Sequence, residues 1–490
     1  MTKILQSVYG LLWGAPALVL ILGVGLYLSI STSFAQIRLF PTAIRDFFRK
    51  LFGKKSTDGG VSSFQALCTA LAATVGTGNL VGVAGAICIG GPGAIFWMWI
   101  CGIFGMITKF AEVTLAVRYR TGSPGNYAGG PMYMIRDGMG AKWKFLGVCY
   151  SFFGIVAAFG VGNATQINAV ITGINGVLTR FGGRETRLGN LIMGVILAVL
   201  VGVLLFGGAK RIGRVAEGLV PAISAAYILL CLTALVLRAE ALPGAFQSVL
   251  QGAFSPKAAT GGMIGSAFQT LRVGCSRGVF TNEAGMGTAS MAHASAETPH
   301  PVQQGLMGIV EVFLDTIVIC TMTALVILTS GVPISYGEDM GGELTMSAFT
   351  QVFGDWVSLF LAGALACFAF ATVLGWGLYG IRCAQFLFGD GSFRIFALLQ
   401  TVTVILSALL QTGVVWLLAE TVNGLMAIPN LIALAYLSPE LVRLTKQYKR
   451  KPGRSSANGG YYADFHQCKP LRTFSHEKVS SPCGGGRASG

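Results

Sequence analysis

Stretches of largely apolar residues, about eleven in number, succeed one another along the chain. They run at approximately 10–32, 62–90, 93–118, 147–178, 188–207, 217–238, 261–290, 303–331, 355–386, 394–413 and 415–437. Each is long enough for a helix to cross the hydrocarbon core of a bilayer, which takes ~20 residues. Two of them are interrupted where an unbroken helix is most expected. The second stretch carries glycine, Thr and Asn in Ala72-Ala73-Thr74-Val75-Gly76-Thr77-Gly78-Asn79-Leu80-Val81-Gly82. The seventh carries Gly274-Cys275-Ser276-Arg277-Gly278-Val279-Phe280-Thr281-Asn282-Glu283-Ala284-Gly285-Met286-Gly287. Unwound backbone at membrane depth is tolerated only where it is buried in protein or lines a cavity, and paired breaks in two halves of a chain point to the binding site of a carrier. For either span alone, small residues serving close helix packing remain the alternative.

Composition agrees with this pattern. Charged residues are only 11% of the 490, and apolar residues 53%, whereas soluble domains carry about 25% charge. A net charge of +15 resembles a nucleic-acid footprint, but its distribution argues otherwise. Basic residues gather in alternate loops: Arg38 to Lys55, Arg118 to Lys144, Lys210 to Arg214, and the tail from Arg443 to Arg454. The loop with Glu338, Asp339, Glu343 and Asp355 is acidic. The positive-inside rule therefore puts the C-terminus in the cytoplasm and the N-terminus outside, in a plasma membrane such as the bacterial inner membrane. Arg180, Arg184 and Arg187 are an exception, in a loop assigned outside.

The first apolar stretch, Leu11 to Ile30, imitates a secretory signal but exceeds the usual apolar length of one and reads as a retained span. The eleven cysteines are scattered singly and the four histidines form no metal or nucleophile pattern, so the cysteines read as packing residues. No enzymatic domain is visible, and the tail after about Lys451 is Gly/Ser-rich and polar, as disordered segments are.

A helix broken in mid-membrane presents free N–H groups at the start of one half and free C=O groups at the end of the other; the first favour an anion, the second a cation. A zwitterionic amino acid travelling with Na+ matches both. Thr77, Gly78 and Asn79 would open the second half-helix toward a carboxylate, with carbonyls near Ala72 and Val75 left for the cation.

The segment Ala73-Thr74-Val75-Gly76-Thr77-Gly78-Asn79, followed by Gly90-Gly91-Pro92-Gly93-Ala94-Ile95-Phe96-Trp97-Met98-Trp99 and later by Arg277 to Gly287, resembles the alanine/glycine:cation symporter family. The resemblance implies an all-α polytopic membrane protein of the leucine-transporter type. One extra helix and linker (1–60) would precede two inverted five-helix repeats with broken first helices (61–240 and 241–440), and a cytoplasmic disordered tail (441–490) would follow. It implies sodium-coupled symport of small neutral amino acids, alanine or glycine, with Na+ as coupling ion and no other cofactor, in the lipid bilayer; the oligomeric state is left open, a monomer being one possibility. A proton-coupled symporter, an ion channel and, least supported, an intramembrane enzyme are the alternatives.

Carried over residue by residue, the resemblance gives the substrate carboxylate to the amides of Thr77 and Gly78 with Asn79 beside them, and the ammonium to Gln166. Carbonyls and a wall would come from an unwound segment at Gly274 and Cys275, and a cap on the side chain from Trp376. Sodium would take the carbonyls of Ala72, Val75 and Phe368 and the hydroxyl of Thr372. The fold commonly has two adjacent hydroxyls on that helix; here Ala371 precedes Thr372, which puts cation affinity in question. Asp315 and Glu311, at i,i+4, form a second candidate cation site. The pairs Lys109/Glu112 and Arg277/Glu283 read as structural clamps or gates.

Overall fold

The computed structural model describes residues 10, 12–53, 60–255, 257, 260, 266–338, 340–409 and 413–450. The helices that frame the site, in chain order, are α1 (Ala15–Ser31), α2 (Ser63–Thr74), α3 (Val83–Gly90), α4 (Ala94–Arg118), α5 (Lys144–Phe159), α6 (Thr165–Arg180), α7 (Arg187–Leu205) and α8 (Gly208–Leu237). They continue with α9 (Ala267–Asn282), α10 (Thr288–His293), α11 (Pro301–Val312), α12 (Thr321–Thr329), α13 (Val357–Phe388), α14 (Ser392–Ser407), α15 (Gly413–Tyr436) and α16 (Ser438–Arg450). Every apolar stretch read from the sequence falls on one or more of these. Among the described residues six helical segments are long and apolar enough to cross a membrane unaided. The bent pair α2 and Gly78–Gly90, 51° apart, makes a further span.

Burial sorts the bundle. The apolar part of α4 is 83% buried, whereas that of α7 and of α8 is only 28% buried, so α4 is interior and α7 and α8 present apolar faces outward, as lipid contact requires. Around α4 pack α9 and α11, while α13 crosses α2, α5, α6 and α8. The two broken helices are thereby enclosed.

Local sequence explains where each break begins. At the start of α2, Ser62 accepts from the Gln65 amide at 3.0 Å while the Gln65 side chain accepts from the Ser62 amide at 3.1 Å, a capping box that fixes the helix start. The helix ends at Val75, whose backbone is extended, and resumes as a π-helical turn over Gly78–Gly82. The free amide of Gly76 is taken by Asn79 Oδ1 at 2.9 Å.

Two expectations are corrected here. The seventh stretch does not unwind at Gly274 and Cys275: α9 is continuous through both, to Asn282. Gly274 lies against Ala94 and Trp97, where a β-carbon would sit 2.3 Å from the Ala94 carbonyl oxygen. Glycine there serves helix packing, and α9 breaks instead at Glu283–Gly287, where Glu283, Gly285 and Gly287 adopt φ of 53°, 96° and 77°. Residues 441–450, expected in a disordered tail, belong to α16, whose Glu440 binds Arg118 at 3.1 Å and Arg443 at 2.6 Å; residues 451–490 lie outside the described residues. The exceptional Arg180 meets Asp355 of the acidic loop at 3.1 Å, so the basic and acidic loops assigned to one side lie together.

Candidate substrate and sodium site

Between the two breaks lies a cavity of about 20 Å3 lined by Thr77 and Gly78 from the first break, Phe280 from the last turn of α9, Glu283 from the second break, and Gln166, Thr372 and Trp376 from α6 and α13. This is room for about one water molecule. Thr77 and Gly78 stand where the helix resumes, and the first N–H groups of a helix have no partner within it. Gln166 follows the π-helical turn Gly160–Ala164; its Oε1 accepts from the Thr77 hydroxyl at 3.3 Å and its Nε2 donates to Val161 O at 3.2 Å.

Trp376 is fully buried. Its indole Nε1 donates to Glu283 Oε1 at 3.0 Å, and the Thr288 hydroxyl donates to the other carboxylate oxygen. The ring packs against the backbone at Gly162, where a β-carbon would lie 2.2 Å from Trp376 Cβ; only glycine permits that approach.

Beside the cavity, the Thr372 hydroxyl is 3.0 Å from both Ala72 O and Phe368 O. Three of the four oxygens expected around sodium are therefore together. The fourth residue, Val75, is buried at the extended end of α2. Hard oxygen donors suit such a cation, and Ala371, buried beside Thr372, brings no second hydroxyl.

Other expected residues are placed differently. Asn79 turns from the cavity: besides holding Gly76, it donates to Asp315 Oδ1 at 2.7 Å. Gly274 and Cys275 do not line the cavity, because Cys275 is a full two turns before the break and its carbonyl accepts from the Cys101 thiol. The wall they were expected to supply comes from Phe280 and Glu283. Asp315 and Glu311 do not share a site. Asp315, in the π-helical run Phe313–Cys320, is held by Asn79 and Thr316, and Glu311 is held by Lys109 at 3.5 Å and His293 at 2.9 Å.

Lys109 and Glu112 are 3.9 Å apart and fully buried, as a clamp requires, with Glu311 the nearer partner. Glu112 also holds the second break, since its Oε1 accepts from the amides of Gly285 at 2.8 Å and Gly287 at 3.0 Å and from Asn430 Nδ2 at 2.7 Å. Glu283 serves Trp376 and Thr288 and is not the partner of Arg277. Sequence reasoning missed Phe280 and Glu283 as lining residues; the signal was the Asn-Glu-Ala-Gly run, which places a carboxylate at the edge of a glycine turn.

Paired breaks facing a shared cavity define a carrier of the leucine-transporter type. The fold is shared with the crystal structure of MhsT in complex with L-phenylalanine, at a TM-score of 0.53 and 15% identity over 81% of this chain and 99% of that one. Residues 1–459 match the sodium:alanine symporter family, and the chain belongs to it. Similar proteins include the sodium/alanine symporter AgcS of Methanococcus maripaludis, 41% identical over 91% of this chain and 97% of its own. The probable sodium/glutamine symporter GlnT of Bacillus subtilis is 36% identical over 98% of this chain and 100% of its own. The protein is thus a sodium-coupled amino acid symporter of the plasma membrane, a transporter and not an enzyme.

Proposed function

We propose that the protein carries small neutral amino acids, alanine and glycine first among them, into the cell together with Na+ by alternating access. The observation that carries this reading is the small cavity lined from both breaks, walled by Trp376 and lying beside the Ala72, Phe368 and Thr372 oxygens. The carboxylate is held by the half-helix start at Thr77 and Gly78, Gln166 positions Thr77, Trp376 limits side-chain size, and Na+ takes the three oxygens with Val75. The N-terminus lies outside and the C-terminus in the cytoplasm.

In proteoliposomes, labelled alanine should accumulate under an inward Na+ gradient and fail to accumulate when choline replaces Na+ at fixed pH; equal uptake in choline defeats the reading. A panel of labelled amino acids including glutamine should rank alanine and glycine first. Thr372→Ala should raise the Na+ concentration for half-maximal uptake by about tenfold, the worth of one lost ligand of ~1.4 kcal/mol, since Ala371 offers no substitute. An unchanged Na+ dependence in a folded variant removes Thr372 from the sodium site.

A further inference from the structure

We propose that Glu283 is the group that recognises the substrate's ammonium, restricting the pocket to molecules that carry an amine cation beside a carboxylate. This rests on the amino acid reading of the pocket and reassigns the ammonium from Gln166.

The geometry points to Glu283 in five ways. Among the described residues it is the only charged side chain lining the cavity. Gln166 Oε1, the rival acceptor, is uncharged and already accepts from the Thr77 hydroxyl at 3.3 Å, while its amide nitrogen donates to Val161 O. Glu283 accepts one bond on each oxygen, from Trp376 and Thr288, whereas a carboxylate has about four lone-pair positions. Two positions stay open on a group that is already held in place.

Its charge is open as well. No basic group of the described residues lies within ion-pair distance of Glu283, because Lys109 is spent on Glu311 at 3.5 Å and Glu112 at 3.9 Å. An ammonium entering a water-poor cavity needs an acceptor, and a charged one binds it best. Finally, Glu283 has φ of 53°, a backbone conformation that favours glycine. A glutamate kept there against that preference is a mark of function. With the ammonium on Glu283 and Na+ beside the half-helix that holds the carboxylate, both charges of the zwitterion are matched at once.

The test uses the full-length purified protein in detergent with NaCl, titrated with L-alanine and with propionate, its counterpart lacking the amine, and read by thermal stabilisation. Wild type should bind alanine about 10- to 100-fold more tightly than propionate, the range expected of a buried hydrogen bond to a charged group. Glu283→Gln has the same shape and keeps an oxygen for the Trp376 indole. It should weaken alanine by about 10- to 100-fold and leave propionate unchanged or tighter, collapsing the ratio. If Glu283 only positions Trp376, both ligands weaken together and the proposal is overturned. Trp376→Phe, which removes the indole bond and leaves the carboxylate, should keep the ratio; its collapse there overturns the proposal equally. Should Glu283→Gln not fold, wild type alone decides, since propionate binding as tightly as alanine excludes a charged ammonium partner. Wild type that transports alanine with Na+ while Glu283→Gln retains the ratio overturns this proposal alone; wild type that binds no amino acid overturns the functional reading beneath it.

Discussion

Replacing Lys109 with methionine is expected to remove a large share of the protein's stability. The ammonium lies 3.5 Å from Glu311 and 3.9 Å from Glu112, with all three side chains at most 1% exposed. Removing one partner of a buried ionic group leaves the others uncompensated and costs ~3–5 kcal/mol, against a total of about 5–15 kcal/mol for a typical fold. The damage should reach the second break, because Glu112 also holds the amides of Gly285 and Gly287. Thermal unfolding followed by size-exclusion chromatography in mild detergent should show the monodisperse peak lost far below the wild-type temperature. Lys109→Met combined with Glu311→Gln should recover part of it, since one charge then leaves with the other. A single variant as stable as wild type would mean that the cluster is already neutralised without Lys109.

Trp376→Ala is expected to change which amino acids are carried. The indole forms a cavity wall and is pressed against Gly162, so truncation opens space on the side-chain end of the site. Valine and leucine should then compete for uptake, while alanine loses the packing partner of its methyl group, a difference of ~1–3 kcal/mol between competing substrates. A competition panel before and after substitution reads this directly. The same ranking in both, with expression intact, returns Trp376 to core packing. The reverse change, Gly162→Ala, drives a β-carbon into Trp376 at 2.2 Å and should depress transport of every substrate.

Much of this was readable in the chain because membrane spans obey a strong rule: backbone groups in hydrocarbon must be satisfied within the segment, and so the first break announces itself as Gly76-Thr77-Gly78. The second break was misplaced by two turns and more. Gly274 and Gly278 look like unwinding residues in sequence, yet they face the interior helix α4, at Ala94 and Cys101 respectively, and composition does not separate a glycine that lets helices touch from one that lets a helix end. Positive φ at Gly285 and Gly287 is a property of the folded turn. Glu283 was seen but given to Arg277, its neighbour in sequence, because nothing local reveals that Trp376 lies across from it. Asp315 and Glu311 were joined by i,i+4 spacing, but each is taken by partners on other elements, Asn79 for the one and Lys109 and His293 for the other.

The two-residue strands β1 (Val61–Ser62) and β2 (Ala296–Glu297) pair in parallel, immediately before α2 and shortly after α10. Arg120 donates to Ala296 O at 2.5 Å, and the side chain of Gln304 donates to Ser63 O at 3.3 Å, so this small ribbon is riveted on both sides. One half of each broken helix is therefore tethered to the other by main chain, and α10 packs directly on α2. The two breaks are thus joined twice over, at the cavity through the residues they share as lining and at the ribbon through main-chain pairing.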